Sequence, residues 1–417
     1  MSLGWTITPT ARTPEAAKRG WGVFFVVALA CLVGFAAAAF RMQSWLLVAA
    51  FCAAALAQPQ RIGAAVSRPR FLVLLAFSIL YLIASMGSFA HPFPTFAYPI
   101  AFLTGFLLAA GPKDEDGRFS AVIIAGVVGS TIHGTLNAAS NFKNFGWDLP
   151  GRVLPDFWTQ EPLTATLQGT LFVPLAGFVF YALWSGSGHH TRRVLLTMSA
   201  VSIAVGYNLA TASRTLFVVG ALTFGVLLLA ALRTRPRAAL GLSFIAGVAL
   251  LLYYQDILRI RSLAEGTPLA RRMAQANTTA LGEDPRFERW QYFFGHFWDY
   301  TKGGGQFRAA NGYAHNLWLD VYDVAGLPSL ILLLCFSLSA LALMVRVIRS
   351  PLVASPVKFL IGGQLFALLA QFMTEPILDG VPYLFALFCL MVGATDGLLR
   401  DVGVTKVGSA RGARIAK

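Results

Sequence analysis

The chain contains 417 residues, of which 56% are hydrophobic and only 12% are charged, and its mean hydropathy is +0.64. This composition excludes a soluble globular domain and predicts an all-α, polytopic membrane protein in contact with membrane lipids. The formal net charge of +14 is spread over the connections of one predicted membrane face, so we expect no nucleic-acid partner.

Hydrophobic runs set the predicted topology. Crossing a hydrocarbon layer of about 30 Å takes roughly 20 helical residues. Twelve runs meet or approach that length, at residues 21–39, 44–57, 71–90, 92–110, 119–136, 164–184, 194–212, 215–232, 238–254, 325–345, 358–374 and 380–398. The second run is short, which also fits a tilted or re-entrant segment.

Basic residues orient these spans. With the N-terminus in the cytoplasm, 21 of the 33 Lys and Arg residues lie on the inner side, as the positive-inside rule requires. Eight of the twelve outer ones lie in one long loop, which that rule constrains only weakly. We therefore predict nine transmembrane helices within 1–254, a large outer loop with amphipathic helices at 255–314, three more transmembrane helices within 315–398 and a basic cytoplasmic tail at 399–417.

The first long connection, residues 137–163, lies on the outer face and is rich in Asn, Gly, Pro and aromatic residues. Such a composition predicts an irregular surface loop. The middles of the twelve spans contain no charged residue, which argues against an ion-coupled carrier. The polar chemistry is therefore expected at the outer surface.

Arg214 is the only cation of the tight outer turn that joins the seventh and eighth spans. A positive charge on this face needs a compensating anion, and a phosphate suits a guanidinium because the two pair through two hydrogen bonds. An alternative of equal weight is an arginine that reaches the lipid headgroups.

The large outer loop contains the sequence PRFERWQYFFGHFWDY, which predicts an amphipathic helix. Helical spacing places Arg286, Arg289 and Trp290 near one another. A solvated helix with ion pairs to acidic neighbours is the simpler interpretation of these arginines. Three phenylalanines supply an apolar face for the membrane boundary: Phe293, Phe294 and Phe297.

The loop ends at AHNLWLDVYDVAGL, in which His315 precedes a run with helical periodicity. This spacing predicts that His315 lies near a helix start and shares a stripe with Leu319 and Tyr322. Asp320 and Asp323 are interpreted as the polar face of the same helix, with outer metal ligands as the less favoured alternative. Lone histidines are seldom catalytic, so a catalytic role for His315 depends on its combination with the arginines.

This stretch resembles the signature of the O-antigen ligase and polymerase superfamily, with Ser329 where a second glycine is common. His315, Asn316, Leu319 and Gly326 occupy the matching positions. The other matching elements are Arg286 with Trp290, Ser213 with Arg214, and the glycine run 303–305.

The resemblance implies a GT-C-like glycosyltransferase of the bacterial inner membrane with its active site facing the periplasm. In the ligase branch, which the single large loop favours, a glycan passes from undecaprenyl pyrophosphate to a hydroxyl of lipid A-core during lipopolysaccharide biosynthesis, with no metal and no cofactor. His315, Arg214 and Arg286 would be the catalytic residues. Arg289, Asn316 and Trp290 would bind substrate.

Three alternatives remain at this stage. A repeat-unit polymerase of the same superfamily would use the same donor and a second lipid-linked glycan as acceptor. An oligosaccharyltransferase would act on a protein side chain. A lipid-glycan flippase would make no bond, although the charge-free span interiors disfavour a polar central pathway.

Overall fold

The computed structural model describes residues 14–38, 42–86, 95–109, 118–147, 149, 152–184, 190–234, 236–237, 239–241, 243–244, 266–270 and 285–415. Within these ranges the chain is largely helical, and it contains one short antiparallel hairpin, in which β1 (Val153–Pro155) pairs with β2 (Pro162–Thr164). The main helices are α1 (Pro14–Ala36), α2 (Met42–Ala57), α3 (Pro59–Val66), α4 (Pro69–Ser85), α5 (Ala97–Leu108), α6 (Arg118–Phe145), α7 (Ala165–Thr170), α8 (Val173–Trp184), α9 (His190–Ala210), α10 (Thr215–Thr234), α11 (Pro285–Gly295), α12 (Gln306–Asn311), α13 (Leu317–Arg349), α14 (Ser355–Phe372), α15 (Ile377–Gly380) and α16 (Pro382–Ile415).

Seven helical stretches in the described ranges are long and apolar enough to cross a membrane, counting α7 and α8 as one. An eighth results if α2 and α3, which meet at an angle of 116°, form one broken span. The protein is therefore an all-α polytopic membrane protein, as predicted. The count of twelve, the GT-C-like arrangement, the orientation and the division into segments stay predictions. Most of the ninth predicted span, 238–254, lies outside the described residues.

Close backbone contacts hold the centre of the bundle together. Helix α5 packs on α16 so tightly that a side chain at Gly105 would collide with the carbonyl of Leu390, and one at Gly393 with that of Phe102. The first turns of α16 are buried almost completely. This helix therefore lies in the core of the bundle.

The prediction that residues 137–163 form an irregular loop is wrong for their first third, because α6 continues to Phe145. Two asparagines of this extension face partners in the interior. Asn137 donates to Asp156 at 3.2 Å, and Asn141 donates to the Tyr207 hydroxyl at 2.8 Å. Polar composition suggested a loop, but these buried hydrogen bonds give the amide nitrogens partners while the backbone stays helical.

Asp156 anchors the hairpin on α6. Its carboxylate lies 2.8 Å from His133 Nε2, and both side chains are 2% exposed. Burial opposes ionisation of Asp156, but the hydrogen bonds that it accepts from His133, Thr159 and Trp158 lower its pKa to about 2. Because the pKa of Asp156 is lower in the folded protein than its usual value, the ionised carboxylate stabilises the fold at pH values above that usual value. This stabilisation is lost as the pH falls from there toward 2.

Residues 285–316, which we call the outer segment after their predicted location, have an aromatic core of their own. Phe293 is fully buried there and packs against Phe307 and Tyr322, with ring centroids 4.9 and 5.7 Å away. The prediction that Phe293 rests on the membrane boundary is therefore wrong. Phe297 stacks on Tyr322 at 4.5 Å but stays partly exposed, so its contact with the membrane boundary stays a prediction. Phe294 remains exposed. The core orders the segment and positions α11 against the start of α13.

The glycine run 303–305 makes a sharp turn that docks on α13. All three glycines have positive φ angles, and Gly305 N–H donates to the Asp323 carbonyl at 2.8 Å. Gly326, at φ 74° and ψ −176°, breaks α13 at the same place and lets Leu327 N–H donate to the Thr301 carbonyl. The signature glycine therefore has a physical role, because almost no other residue adopts this conformation.

Replacing Gly326 with alanine is expected to lower the melting temperature of the purified protein by several degrees. An added Cβ would lie 2.5 Å from the Thr301 carbonyl oxygen, and the backbone angles alone cost about 1–3 kcal/mol. Gly295→Ala is the matched control, since that glycine has open space around it and no positive φ. Equal melting temperatures for the two variants would contradict this account.

Candidate functional site

His315 lies in a short segment without helix or strand, residues 312–316, which we call the strap. Asp320, in the first turn of α13, accepts hydrogen bonds from Ala314 N–H at 2.8 Å and from Asn316 N–H at 3.1 Å. These two bonds flank His315 on both sides. The prediction that Asp320 lies on a polar helix face is wrong, because its carboxylate is buried and binds the strap.

The structure confirms that His315 lies at a helix start, since α13 begins at Leu317. His315 is not part of that helix, however, because its φ angle is +55°. It therefore does not share a helical stripe with Leu319 and Tyr322, as periodicity had suggested. The left-handed backbone at His315 keeps this residue out of the helix that begins two residues later.

Asn316 is the N-cap of α13. Its side-chain oxygen accepts hydrogen bonds from Trp318 N–H at 3.1 Å and Leu319 N–H at 3.3 Å, which satisfies two backbone donors that a helix start otherwise leaves without partners. Its amide nitrogen lies 3.9 Å from the Met373 sulfur. Its predicted contact with substrate stays a prediction, and what the structure shows is a capping residue.

Helix α11 supports the strap from the other side. Trp290 Nε1 donates to the Ala314 carbonyl at 2.7 Å, and Arg289 Nη1 donates to the Tyr313 carbonyl at 3.3 Å. Both predicted residues therefore lie beside the histidine segment. Arg286 belongs to the first turn of the same helix, but its side chain lies outside the described residues. Its predicted role stays a prediction.

Arg308 and Asp379 form a further contact next to the strap. Their ion pair measures 3.0 Å, and the Arg308 guanidinium lies 5.2 Å from the centroid of the Tyr313 ring. Burial raises the pKa of Asp379, and the charge of Arg308 opposes that shift. The pair connects α12 with α15 and so ties the outer segment to the connection between α14 and α16.

Glu375 is the carboxylate that faces the histidine. It is 0% exposed, and its Oε2 lies 3.6 Å from His315 Nδ1, whereas the histidine side chain keeps 26% of its surface exposed. This distance is that of an ion pair rather than a hydrogen bond. The arrangement leaves His315 Nε2 as the ring nitrogen that is available to a substrate.

The same carboxylate reaches the turn that contains Arg214. Thr215 Oγ1 lies 3.4 Å from Glu375 Oε1. Arg214 precedes Thr215, is partly buried, and pairs with none of the described residues. Its carbonyl accepts the first helical hydrogen bond of α10, from Val218 N–H at 3.1 Å. Arg214 thus adds its charge to the positive end of the α10 dipole.

The local fold positions this turn. Ala212 has a φ angle of +55°, and Ser213 N–H donates to the Asn208 carbonyl at 3.0 Å, which reverses the chain between α9 and α10. The reversed turn packs on α7, where a Cβ at Gly169 would lie 2.8 Å from Ser213 Oγ. The turn is therefore held in place on both sides.

These contacts bring together an accessible imidazole, a buried carboxylate and the turn that contains Arg214, an arginine with no partner among the described residues. At 3.6 Å the carboxylate makes no hydrogen bond to Nδ1, but its negative charge favours a proton on Nδ1, which leaves Nε2 to accept one from a substrate. A guanidinium beside a helix N-terminus favours an anion. The arrangement is suited to removing a proton from an alcohol near a bound phosphate.

Glu375 and the Arg308–Asp379 pair were missed from the sequence. No spacing along the chain connects these three residues with His315. Glu375 and Thr215 are 160 positions apart. The carboxylate of Glu375, in the short connection between α14 and α16, was a weak signal. Only the packing shows that it faces His315.

Comparison with known proteins adds no further assignment: no protein-family model matches the chain, and no curated protein matches it significantly. The resemblance described above therefore rests on the motifs and on their placement around the strap.

Glu375→Gln is expected to lower kcat for glycan transfer about 10- to 100-fold with little change in KM, since partners that orient a functional histidine are typically worth that much. Adding Glu375→Gln to His315→Asn should lower kcat little further, because the carboxylate acts through the imidazole. A merely structural carboxylate would lower kcat in that background as well. Glu161→Gln, on the exposed hairpin, is the control.

Proposed function

We propose that the protein is an O-antigen ligase of the bacterial inner membrane, which transfers a glycan from undecaprenyl pyrophosphate to a sugar hydroxyl of lipid A-core in the periplasm. One observation carries the proposal. Glu375 faces His315 at 3.6 Å and also contacts Thr215, the residue after Arg214. The two motifs that the resemblance singles out, about 100 residues apart, thus meet at one buried carboxylate.

In this mechanism the acceptor oxygen forms a bond to the anomeric carbon of the donor while the bond from that carbon to the pyrophosphate breaks. His315 Nε2 takes the proton of the acceptor hydroxyl. Undecaprenyl pyrophosphate leaves with the electron pair of the broken bond. A single direct displacement of this kind inverts the anomeric centre.

The arginines stabilise the charge that grows on the leaving pyrophosphate, a role that Mg²⁺ plays in many phosphate-binding enzymes. Arg214 contributes from the start of α10, and Arg286 and Arg289 contribute from α11. Arg289 also holds the strap through the Tyr313 carbonyl, so its binding and positioning roles overlap. Guanidinium groups make a metal ion and a cofactor unnecessary in this proposal.

The test is transfer by the purified protein in proteoliposomes that contain a chelator, with undecaprenyl-pyrophosphate-linked glycan and lipid A-core supplied. Glycan attached to lipid A-core supports the proposal. Glycan extended on the carrier lipid alone identifies a polymerase instead, and movement of donor across the bilayer without a new glycosidic bond identifies a flippase. Activity that is lost in chelator and restored by a divalent cation would contradict the arginine mechanism.

A further inference from the structure

Two buried carboxylates at the start of α13 hold the outer segment at two places. Asp320 and Asp323 are 9% and 2% exposed, and their spacing of three residues puts them on neighbouring positions of the helix surface. Neither forms an ion pair with a described residue, and each accepts two backbone N–H groups. The reaction proposed above uses neither carboxylate, so the pair requires its own explanation.

The backbone at His315 needs such a support. Its φ angle of +55° lies in the left-handed region, which is unfavourable for a residue with a side chain and persists only where the surroundings enforce it. The strap belongs to no helix or strand. Asp320 accepts one N–H group on each of its oxygens, from Ala314 at 2.8 Å and from Asn316 at 3.1 Å. The backbone on both sides of the histidine is therefore fixed to one buried side chain.

We propose that Asp320 is a positioning residue of the transfer reaction, which holds His315 in the left-handed conformation that places its imidazole against Glu375. The inference rests on the proposed function, because that function makes His315 the base. The hydrogen bonds of Asp320 go to the backbone of the strap and not to the imidazole. Trp290 fixes the Ala314 carbonyl from α11, so the residue before the histidine is held at its N–H group and at its carbonyl.

The two bonds require a carboxylate. Asparagine at position 320 would keep one acceptor oxygen, but its NH2 group is only a donor and would face the second N–H group. One side of His315 would then lose its support, and the imidazole would no longer be held against Glu375. Asp320→Asn is therefore expected to lower kcat about 10- to 100-fold, as for other partners that orient a functional histidine. The KM for donor should change little, because the Arg214 turn is held by separate contacts.

Asp323 supplies a matched control on the same helix. It accepts the N–H groups of Phe307 and Arg308 at 2.8 and 3.0 Å, so it makes the same two bonds at the start of α12 instead of beside the histidine. Asp323→Asn should lower the melting temperature about as much as Asp320→Asn, because each variant leaves a buried N–H group without its acceptor. It should leave kcat near the native value. An equal loss of kcat in the two variants would indicate a merely structural role and overturn the proposal.

The position of His315 can be followed without turnover, by its rate of modification with diethyl pyrocarbonate as measured by mass spectrometry. The histidine side chain is 26% exposed in the native fold. Release from Asp320 should raise the rate about threefold or more in Asp320→Asn, because local opening exposes the ring. Asp323→Asn should keep the native rate, and His296 serves as the reference within each sample. An unchanged rate at His315 in Asp320→Asn would overturn the proposal.

Transfer assays supply the second readout. Asp320→Asn should lower kcat little further in the His315→Asn background, because the carboxylate acts through the imidazole. A loss of kcat that persists in that background would overturn the proposal. If Asp320→Asn does not fold, Asp320→Glu takes its place, since it keeps both acceptor oxygens on a longer side chain. It should show a smaller loss of kcat with the same dependence on His315.

The two proposals fail in different ways. A native protein that transfers glycan to no acceptor refutes the ligase, whereas the modification rates still decide whether Asp320 positions His315. Transfer by the native protein together with native modification rates and native kcat in Asp320→Asn refutes the positioning role alone.

Discussion

Replacing His315 with asparagine is expected to reduce glycan transfer about 100- to 10,000-fold, the usual contribution of a general base, with donor affinity changed by no more than about twofold. The imidazole is the accessible group of the site and its Nε2 is the proposed proton acceptor. Asparagine suits the test because it tolerates the +55° φ angle of this position better than most residues. A loss of activity then reports the chemistry and not a strained strap.

His296→Asn is the control for this variant. His296 belongs to the same outer segment but stacks on Tyr292, with ring centroids 4.2 Å apart, and makes no hydrogen bond or ring contact with the described residues of the strap. Transfer can be measured by the appearance of glycan on lipid A-core, and donor affinity by binding of undecaprenyl pyrophosphate. Near-native transfer by His315→Asn would exclude His315 as the base.

Arg214→Ala is expected to weaken donor binding and to slow glycan transfer, because the diphosphate takes part in both. Loss of a preorganised group that stabilises developing charge typically costs about 100- to 1,000-fold in rate, or about 3–4 kcal/mol at 1.36 kcal/mol per tenfold change. Donor binding should weaken as well, because the ground-state diphosphate already carries negative charge. Arg214→Lys should recover only part of the loss, since an ammonium cannot pair through two parallel hydrogen bonds.

Arg233→Ala supplies the control for Arg214, because it removes the same side chain from the opposite end of α10, where it is exposed. The two site variants should also differ from each other. The His315 variant should lose kcat alone, and the Arg214 variant should lose kcat and raise the KM for donor. An Arg214→Ala protein with native donor affinity and native rate would show that this arginine only reaches lipid headgroups.

Several features could be predicted from the sequence because they depend on local composition. Long apolar runs must be helical in a membrane, since hydrocarbon offers no partner for backbone N–H and carbonyl groups. The change from a polar loop to helical periodicity placed the helix start next to His315, which the structure confirms at Leu317. The resemblance singled out the glycine run 303–305 and Gly326, all of which have positive φ angles in the structure.

Packing decided the rest. Glu375 meets Thr215 from 160 positions away, Asp379 meets Arg308 from 71 positions away, and Phe293 is buried by rings that follow it in the chain. Periodicity and composition indicate which residues are buried, but they do not indicate which buried residues contact each other. Those contacts depend on how closely the helix backbones approach and on which buried polar groups find partners. Both are decided only when the helices pack.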